Sequence, residues 1–450
     1  LWAGGITDPP TAIEQVSYLI LLRTLDLRRA SSLSRSVDRA FREYPGMSWD
    51  RVQRLPGEKA LGLLRSRLIP FLVEAVESRS FTEGMAGASL ALPNARLLRS
   101  CIEVVDQLDL GEAGERAAQV YAELLDQLLL EGELSVQMRT SQSLVEAMVE
   151  LVDPQPHQII CDPAAGAGAL LIEVHRRLQE SSGPLLGYDL NASMVRLALI
   201  NMVMHGIRNP LVVCTDTLSR VFEWPTVDAV ITHPPFGGSL DRRDVHPGLE
   251  LDTSRTDVLF LELCRRLLRS RGRAAIVVSE GVLFGRSRAH VEARRRWLIQ
   301  GEVQAVISLP PRLFDPTSTV RTAILLLAVS GRTEQVLFGQ LEAGREQPAG
   351  PIAAEPDAEL RHLAGAVRWR LGANTQPSPE ARALGQRMWT VPVAEIGKQG
   401  WALAPSTYRQ MEDLPLEDED PLELLDQVKT LEIAVQQEID SARAILENRP

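Results

Sequence analysis

The chain has 450 residues, 45% of them hydrophobic, and a formal net charge of −11. No apolar run approaches the roughly twenty residues of a membrane helix, and the start lacks a basic stretch leading into a long apolar core, so neither a spanning segment nor a secretory signal is expected. The acidic balance excludes a protein that grips nucleic acid by bulk charge alone, since phosphate neutralisation needs clustered Lys and Arg.

Residues 1–135 are predicted to be a helical domain. Thr11-Ala12-Ile13-Glu14 has the form of a capping box, and Ile13, Val16, Leu19 and Ile20 share one helix face. Amphipathic runs recur over 97–110 and 117–130. From 136 to 345 short apolar strands alternate with helices, which predicts an α/β domain with a doubly wound, Rossmann-like parallel sheet.

In that region His157 to Cys161 reads as a strand, Asp162-Pro163-Ala164-Ala165-Gly166-Ala167-Gly168 as a turn, and Leu170 to Leu178 as the helix that follows. Gly166 and Gly168 allow positive φ and close backbone approach to a ligand, with the helix N-terminus behind them. The same turn fits a dinucleotide binder. A second strand, Leu185 to Leu190, carries Asp189 at its end, about twenty residues after the glycines, where a carboxylate can accept two hydrogen bonds from a ribose diol. A third, Leu211 to Cys214, leads to Asp216, placed to meet an adenine amino group. Any single aspartate is open to a helix N-cap role, the commoner fate of an Asp after a strand, whereas three at successive strand ends point to a ligand.

A fourth strand, Val227 to Ile231, runs into Thr232-His233-Pro234-Pro235-Phe236. Two prolines stiffen this loop and remove N–H groups, so that carbonyls face forward, and Phe236 offers a flat surface for a base flipped out of a duplex. The plain alternative is a rigid loop with a core-filling Phe. Later strands are expected at 274–278, 303–309 and 322–329. Two arginine runs, 265/266/269/271/273 and 286/288/294/295/296, are open to phosphate contact or to a solvated helix face. Residues 346–410, rich in Pro, Ala and Gly, are expected to form an irregular cover. Over 411–450 an acidic linker precedes a helix whose Leu424, Val428, Leu431, Val435 and Ile439 form a seam open to a coiled coil or to packing on its own domain. Cys101, Cys161, Cys214 and Cys264 are scattered, which suggests reduced thiols in a cytoplasmic protein and no metal site.

These segments together resemble the modification subunits of type I restriction-modification systems, within the amino-group DNA methyltransferases. The likeness extends from Leu1-Trp2-Ala3-Gly4-Gly5 through Gln137-Met138-Arg139-Thr140, Gly187-Tyr188-Asp189-Leu190-Asn191, Asp216-Thr217-Leu218 and Gly281-Val282-Leu283-Phe284-Gly285 to Pro405-Ser406-Thr407-Tyr408-Arg409. The resemblance implies S-adenosylmethionine as methyl donor and adenine N6 in DNA as acceptor. It implies Thr140, Asp162, Gly166 and Gly168 at the methionine part of the cofactor, Asp189 at its ribose and Asp216 at its adenine, with Pro163, Ala164, Leu190 and Thr217 completing the cofactor set. His233, Pro234, Pro235 and Phe236 would surround the target base. A specificity subunit and a restriction subunit are the implied protein partners, and the last helix the implied dock for the former.

Four departures from the family pattern stand out: Ser141 for proline, Ala165 for cysteine, Ala167 for threonine and His233 for asparagine. The family's asparagine accepts a hydrogen bond from the adenine amino group. A neutral His accepts one through an unprotonated nitrogen, while imidazolium accepts none. The expectation is an adenine-N6 methyltransferase impaired at neutral pH, and the competing function a cofactor-binding architectural or regulatory subunit. A third class, methyl transfer to another planar amide, fits the helical ends of the chain less well.

Overall fold

The computed structural model describes residues 6, 8–29, 35–130, 140–310, 320–329, 333–341, 359–373 and 376–409. Residues 1–407 form one compact unit. Of the sequence expectations, Gln137-Met138-Arg139 and the C-terminal seam lie outside the described residues.

In chain order the helical region holds α1 (Pro9–Arg29), α2 (Arg35–Glu43), α3 (Trp49–Arg54), α4 (Gly57–Val76), α5 (Arg79–Gly84), α6 (Ala95–Gln107) and α7 (Ala117–Leu130). The start of α1 differs from the expected capping box. Asp8 is the cap, accepting from the Thr11 amide at 3.0 Å and from its hydroxyl, because the helix begins at Pro9, whose fixed φ suits a first turn. Glu14 is thereby one turn inside the helix, buried and bonded to Arg196 at 2.7 and 3.0 Å.

The remaining order is α8 (Gln142–Val152), β1 (Ile160–Asp162), α9 (Ala169–Leu178), β2 (Leu185–Asp189), α10 (Ala192–Met204), β3 (Leu211–Cys214), β4 (Val227–Thr232), α11 (Thr256–Leu267), β5 (Leu268–Ser279), α12 (Glu280–Phe284), α13 (Arg288–Ile299), β6 (Val303–Ser308), β7 (Thr322–Ala328) and β8 (Gln335–Gln340). These and a later strand β9 (Trp389–Pro392) make a nine-stranded sheet in the order β3-β2-β1-β4-β5-β7-β6-β8-β9. The first five positions are parallel, and β7 runs antiparallel to both β5 and β6. The strand expected from His157 begins three residues later. His157 has φ 64, in the left-handed region, and so belongs to the preceding turn.

The 346–410 stretch is not irregular where it is described. It holds α14 (Leu360–Arg370), α15 (Pro379–Gln386), β9 and α16 (Val393–Lys398). Leu360, Leu363, Ala364 and Val367 are buried at helical spacing, and the alanines that lowered the apparent periodicity allow close helix packing. One cluster of buried side chains joins Leu19 and Leu22 of α1, Val149 of α8, Leu197 of α10 and Ile324 of β7. The helical region and the sheet therefore share a core. Among the described residues no helix is long and apolar enough to cross a membrane. Cys101, Cys161 and Cys264 are buried and Cys214 is exposed, all four as free thiols.

Candidate active site

Parallel strands β1, β2 and β4 deliver their carboxyl ends to one edge of the sheet, where an open α/β sheet places its ligand crevice. At that edge Asp162 ends β1, Asp189 ends β2 and His233 follows β4. A cleft of about 240 Å³ there is lined by Thr140, Asp162, Ala164, Gly166, Asp189, His233 and Pro235 among others.

The turn after β1 owes its shape to glycine. Gly166 has φ 52 and Gly168 φ 83, and a Cβ on Gly166 would point into open space within the cleft region. Asp189 binds this turn directly, accepting from the Gly166 amide at 3.0 Å and the Asn191 amide at 2.8 Å. Burial raises its carboxyl above the ordinary value, against those same bonds, which lower it. Each carboxylate oxygen retains further acceptor capacity.

Asp162 is 1% exposed. Its Oδ1 accepts from the Thr232 hydroxyl at 2.7 Å and the Ala164 amide at 3.1 Å, a brace between the ends of β1 and β4. Burial pushes its pKa up to about 7.

His233 is 9% exposed. Burial lowers its pKa to about 4, so the ring is neutral at physiological pH. Its Nδ1 lies 3.0 Å from the Thr140 hydroxyl, and its ring sits 5.4 Å from that of Phe236 at 45°. The neutral ring removes the reason for expecting impairment by imidazolium, because buried imidazole keeps an acceptor nitrogen. Pro234 is buried, Pro235 exposed and Phe236 half-buried against the core.

Several expected cofactor residues stand beside the cleft and not in its lining. Thr217 is buried with its hydroxyl donating to the Pro163 carbonyl at 3.2 Å, a second brace for the turn. Asp216 accepts from the Leu218 amide at 2.9 Å. Leu190 is 72% exposed directly after Asp189, and Gly168 supplies the left-handed residue before α9. Ser141, which departs from the family pattern, caps α8 by accepting from the Leu144 amide.

The cleft also contains residues that sequence reasoning missed: Ala122 and Leu125 from α7, Met194 and Asn201 from α10, and Gln142. Asn201 donates to the Ala167 carbonyl at 2.9 Å, and its Oδ1 is buried with no protein partner. A lone amide in the apolar run Leu197-Ala198-Leu199-Ile200-Asn201-Met202 was the available signal. Ala122 and Leu125 had none, since they look like any helix-core positions.

A glycine turn, acids at the ends of adjacent strands, a proline-stiffened loop after β4 and an antiparallel β7 define a class, the Rossmann-like methyltransferases. Within it, the chain belongs to the N-6 DNA methylase family, whose model matches residues 114–414. It is 27% identical to the methylase subunit of the type I restriction enzyme EcoEI from Escherichia coli over 74% of each chain. It is 26% identical to the EcoKI methylase subunit of Escherichia coli strain K12, over 60% of this chain and 55% of that one. The chain thus spans little more than half of some relatives it matches. Among solved structures, a chain from a study of complex assembly and conformational transition in a type I R-M system superposes with a TM-score of 0.68 at 27% identity, covering 99% of this chain and 95% of that one. A Vibrio vulnificus modification subunit, at 19% identity and TM-score 0.66 over 87% and 88%, shares the fold.

Proposed function

We propose that the chain transfers a methyl group from S-adenosylmethionine to N6 of adenine in DNA, as the methylase subunit of a type I restriction-modification complex in the cytoplasm. The observation that carries this is the union in one cleft of the Gly166 turn and Asp189 with His233 and Pro235. The cofactor, when bound, supplies an electrophilic methyl on a sulfonium.

The residues present fit that cofactor. Asp189, already anchored by two amides, has lone pairs for ribose hydroxyls, and the buried Oδ1 of Asn201 is an acceptor suited to an ammonium group. The adenine end of the cofactor falls, by the family resemblance, to Asp216 and the exposed Leu190. On the acceptor side, neutral His233 takes a hydrogen bond from the base amino group, which draws nitrogen lone-pair density toward the methyl. Phe236 offers a face for the flipped base, and the proton lost from N6 passes to solvent. With a net charge of −11, the chain leaves most of the grip on DNA, and the reading of sequence, to a specificity subunit; a restriction subunit completes the complex.

The test is transfer of labelled methyl from S-adenosylmethionine to unmethylated DNA by the chain with its specificity subunit, followed by identification of the methylated base. N6-methyladenine is the expected product, with His233→Asn active alongside. Tight cofactor binding without transfer by either protein would defeat the proposal.

A further inference from the structure

The resemblance assigned Thr140 to the cofactor, yet its hydroxyl is committed to the ring of His233, at 3.0 Å from Nδ1. A neutral imidazole carries one N–H and one lone pair on different nitrogens, and the partner of the first nitrogen decides which chemistry the second presents. Protonated at Nδ1, the ring offers an acceptor at Nε2. Protonated at Nε2, it offers a donor, which would repel an amino group and suit a carbonyl instead.

We propose that Thr140 is a positioning residue for His233: its hydroxyl oxygen accepts the Nδ1 proton and so keeps the Nε2 lone pair available to the amino group of the target base. This rests on the adenine-N6 reading above, because an amino group needs an acceptor opposite it. A threonine hydroxyl can play either role toward nitrogen, and the substrate selects the one stated.

The geometry that holds the pair comes from rigid elements. His233 follows β4, a strand buried at every position, and its neighbour Thr232 is braced to Asp162 at 2.7 Å. Thr140 immediately precedes Ser141, the cap of α8. The Phe236 ring lies beside the imidazole, with centroids 5.4 Å apart and planes at 45°. Both His233 and Thr140 line the cleft. An asparagine distinguishes acceptor from donor by its own two atoms, whereas a histidine needs an outside group to do so. Thr140 supplies that group in a chain where the loop begins with His.

The test uses protein labelled with nitrogen-15 at histidine, with the His233 signals identified by their loss in His233→Asn. In the unaltered protein His233 is expected to be protonated at Nδ1, and in Thr140→Val to shift toward the Nε2-protonated form. Methyl transfer by Thr140→Val is expected to fall about 5- to 10-fold in kcat, the bias that one ordinary hydrogen bond can hold. Its KM for S-adenosylmethionine should stay within about twofold of the parent, with Thr140→Ser restoring both tautomer and rate. Binding of S-adenosylhomocysteine, measured by calorimetry, reports whether the valine variant keeps a folded cleft. An Nε2-protonated His233 in the parent, or a valine variant with unchanged tautomer, would overturn the inference, as would a rise in KM without a fall in kcat. An Nδ1-protonated ring in a parent that methylates no DNA would count against the adenine-N6 reading while leaving the hold of Thr140 on the ring in place.

Discussion

Asp162 and His233 are both buried in the lining of one cleft, and burial moves their titrations in opposite directions. Asp162 has its pKa raised to about 7, so the folded state keeps a proton that the unfolded chain gives up near pH 4. Stability from this group is present at low pH and is lost as pH rises from about 4 to 7. Asp162→Asn removes that dependence and keeps an Oδ1 acceptor for both the Thr232 hydroxyl and the Ala164 amide. Relative to the parent, its thermal stability should climb between pH 5 and pH 8, with an upper bound of about 4 kcal/mol; a constant difference across that range would show that Asp162 titrates normally. For His233, with a pKa near 4, the unfolded chain binds a proton below about pH 6.5 that the folded ring refuses, so stability is lost as pH falls from about 6.5 to 4. The rate of methyl transfer should accordingly show no histidine titration between pH 8 and 6. An acid limb near pH 6.5 that disappears in His233→Asn would refute this.

At the scale of elements, strands and their terminal acids were legible because short apolar runs and glycine or proline punctuation are local signals: β2, β3 and β4 start where the sequence places them. The arginine runs were not, because for Arg265, Arg266, Arg269 and Arg294 the partners include remote residues. Arg265 pairs with Glu302 at 2.7 Å, Arg266 with Glu250 at 2.6 Å, and Arg269 with Asp228. Arg294 is buried, donating to the carbonyls of Trp401, Val282 and Gly285, while Arg295 and Arg296 pair with Glu292. Arg286 and Arg288 differ. They are exposed just beyond α12, beside Phe284, which is 54% exposed. Because β5 runs parallel to β4, this segment emerges on the same sheet edge as His233. Replacing both arginines by Gln should weaken DNA binding by the assembled complex and reduce the slope of log K against log salt by about 2, roughly 0.9 per lost phosphate contact. Arg265→Gln, whose cation serves Glu302, should leave that slope unchanged.

For the whole molecule, the division that the sequence suggests between a helical region and a methyltransferase region is crossed by the cleft itself. Ala122 and Leu125 of α7 line it together with Met194 and Asn201 of α10. Although the family match begins at residue 114, α1 is joined to α10 by the Glu14–Arg196 pair, whose side chains are 3% and 14% exposed. The Tyr18 hydroxyl donates to the same carboxylate, and Tyr121 of α7 donates to Ser17 at 2.8 Å. These polar contacts run through a shared apolar core, so they fix the orientation in which α1, α7 and α10 meet. Removing one partner of a buried pair leaves the other charge without compensation, at a cost of about 3–5 kcal/mol. Glu14→Leu should therefore lower stability to chemical denaturation by that order. It should also weaken cofactor binding measured by calorimetry, because α10 carries two cleft residues although Glu14 itself touches none of the cleft. The double variant Glu14→Leu/Arg196→Met, which replaces the pair by apolar side chains, should recover most of the stability. If it also recovers cofactor affinity, the pair acts by positioning α10; if stability returns without affinity, the charge of Arg196 matters to the cleft in its own right.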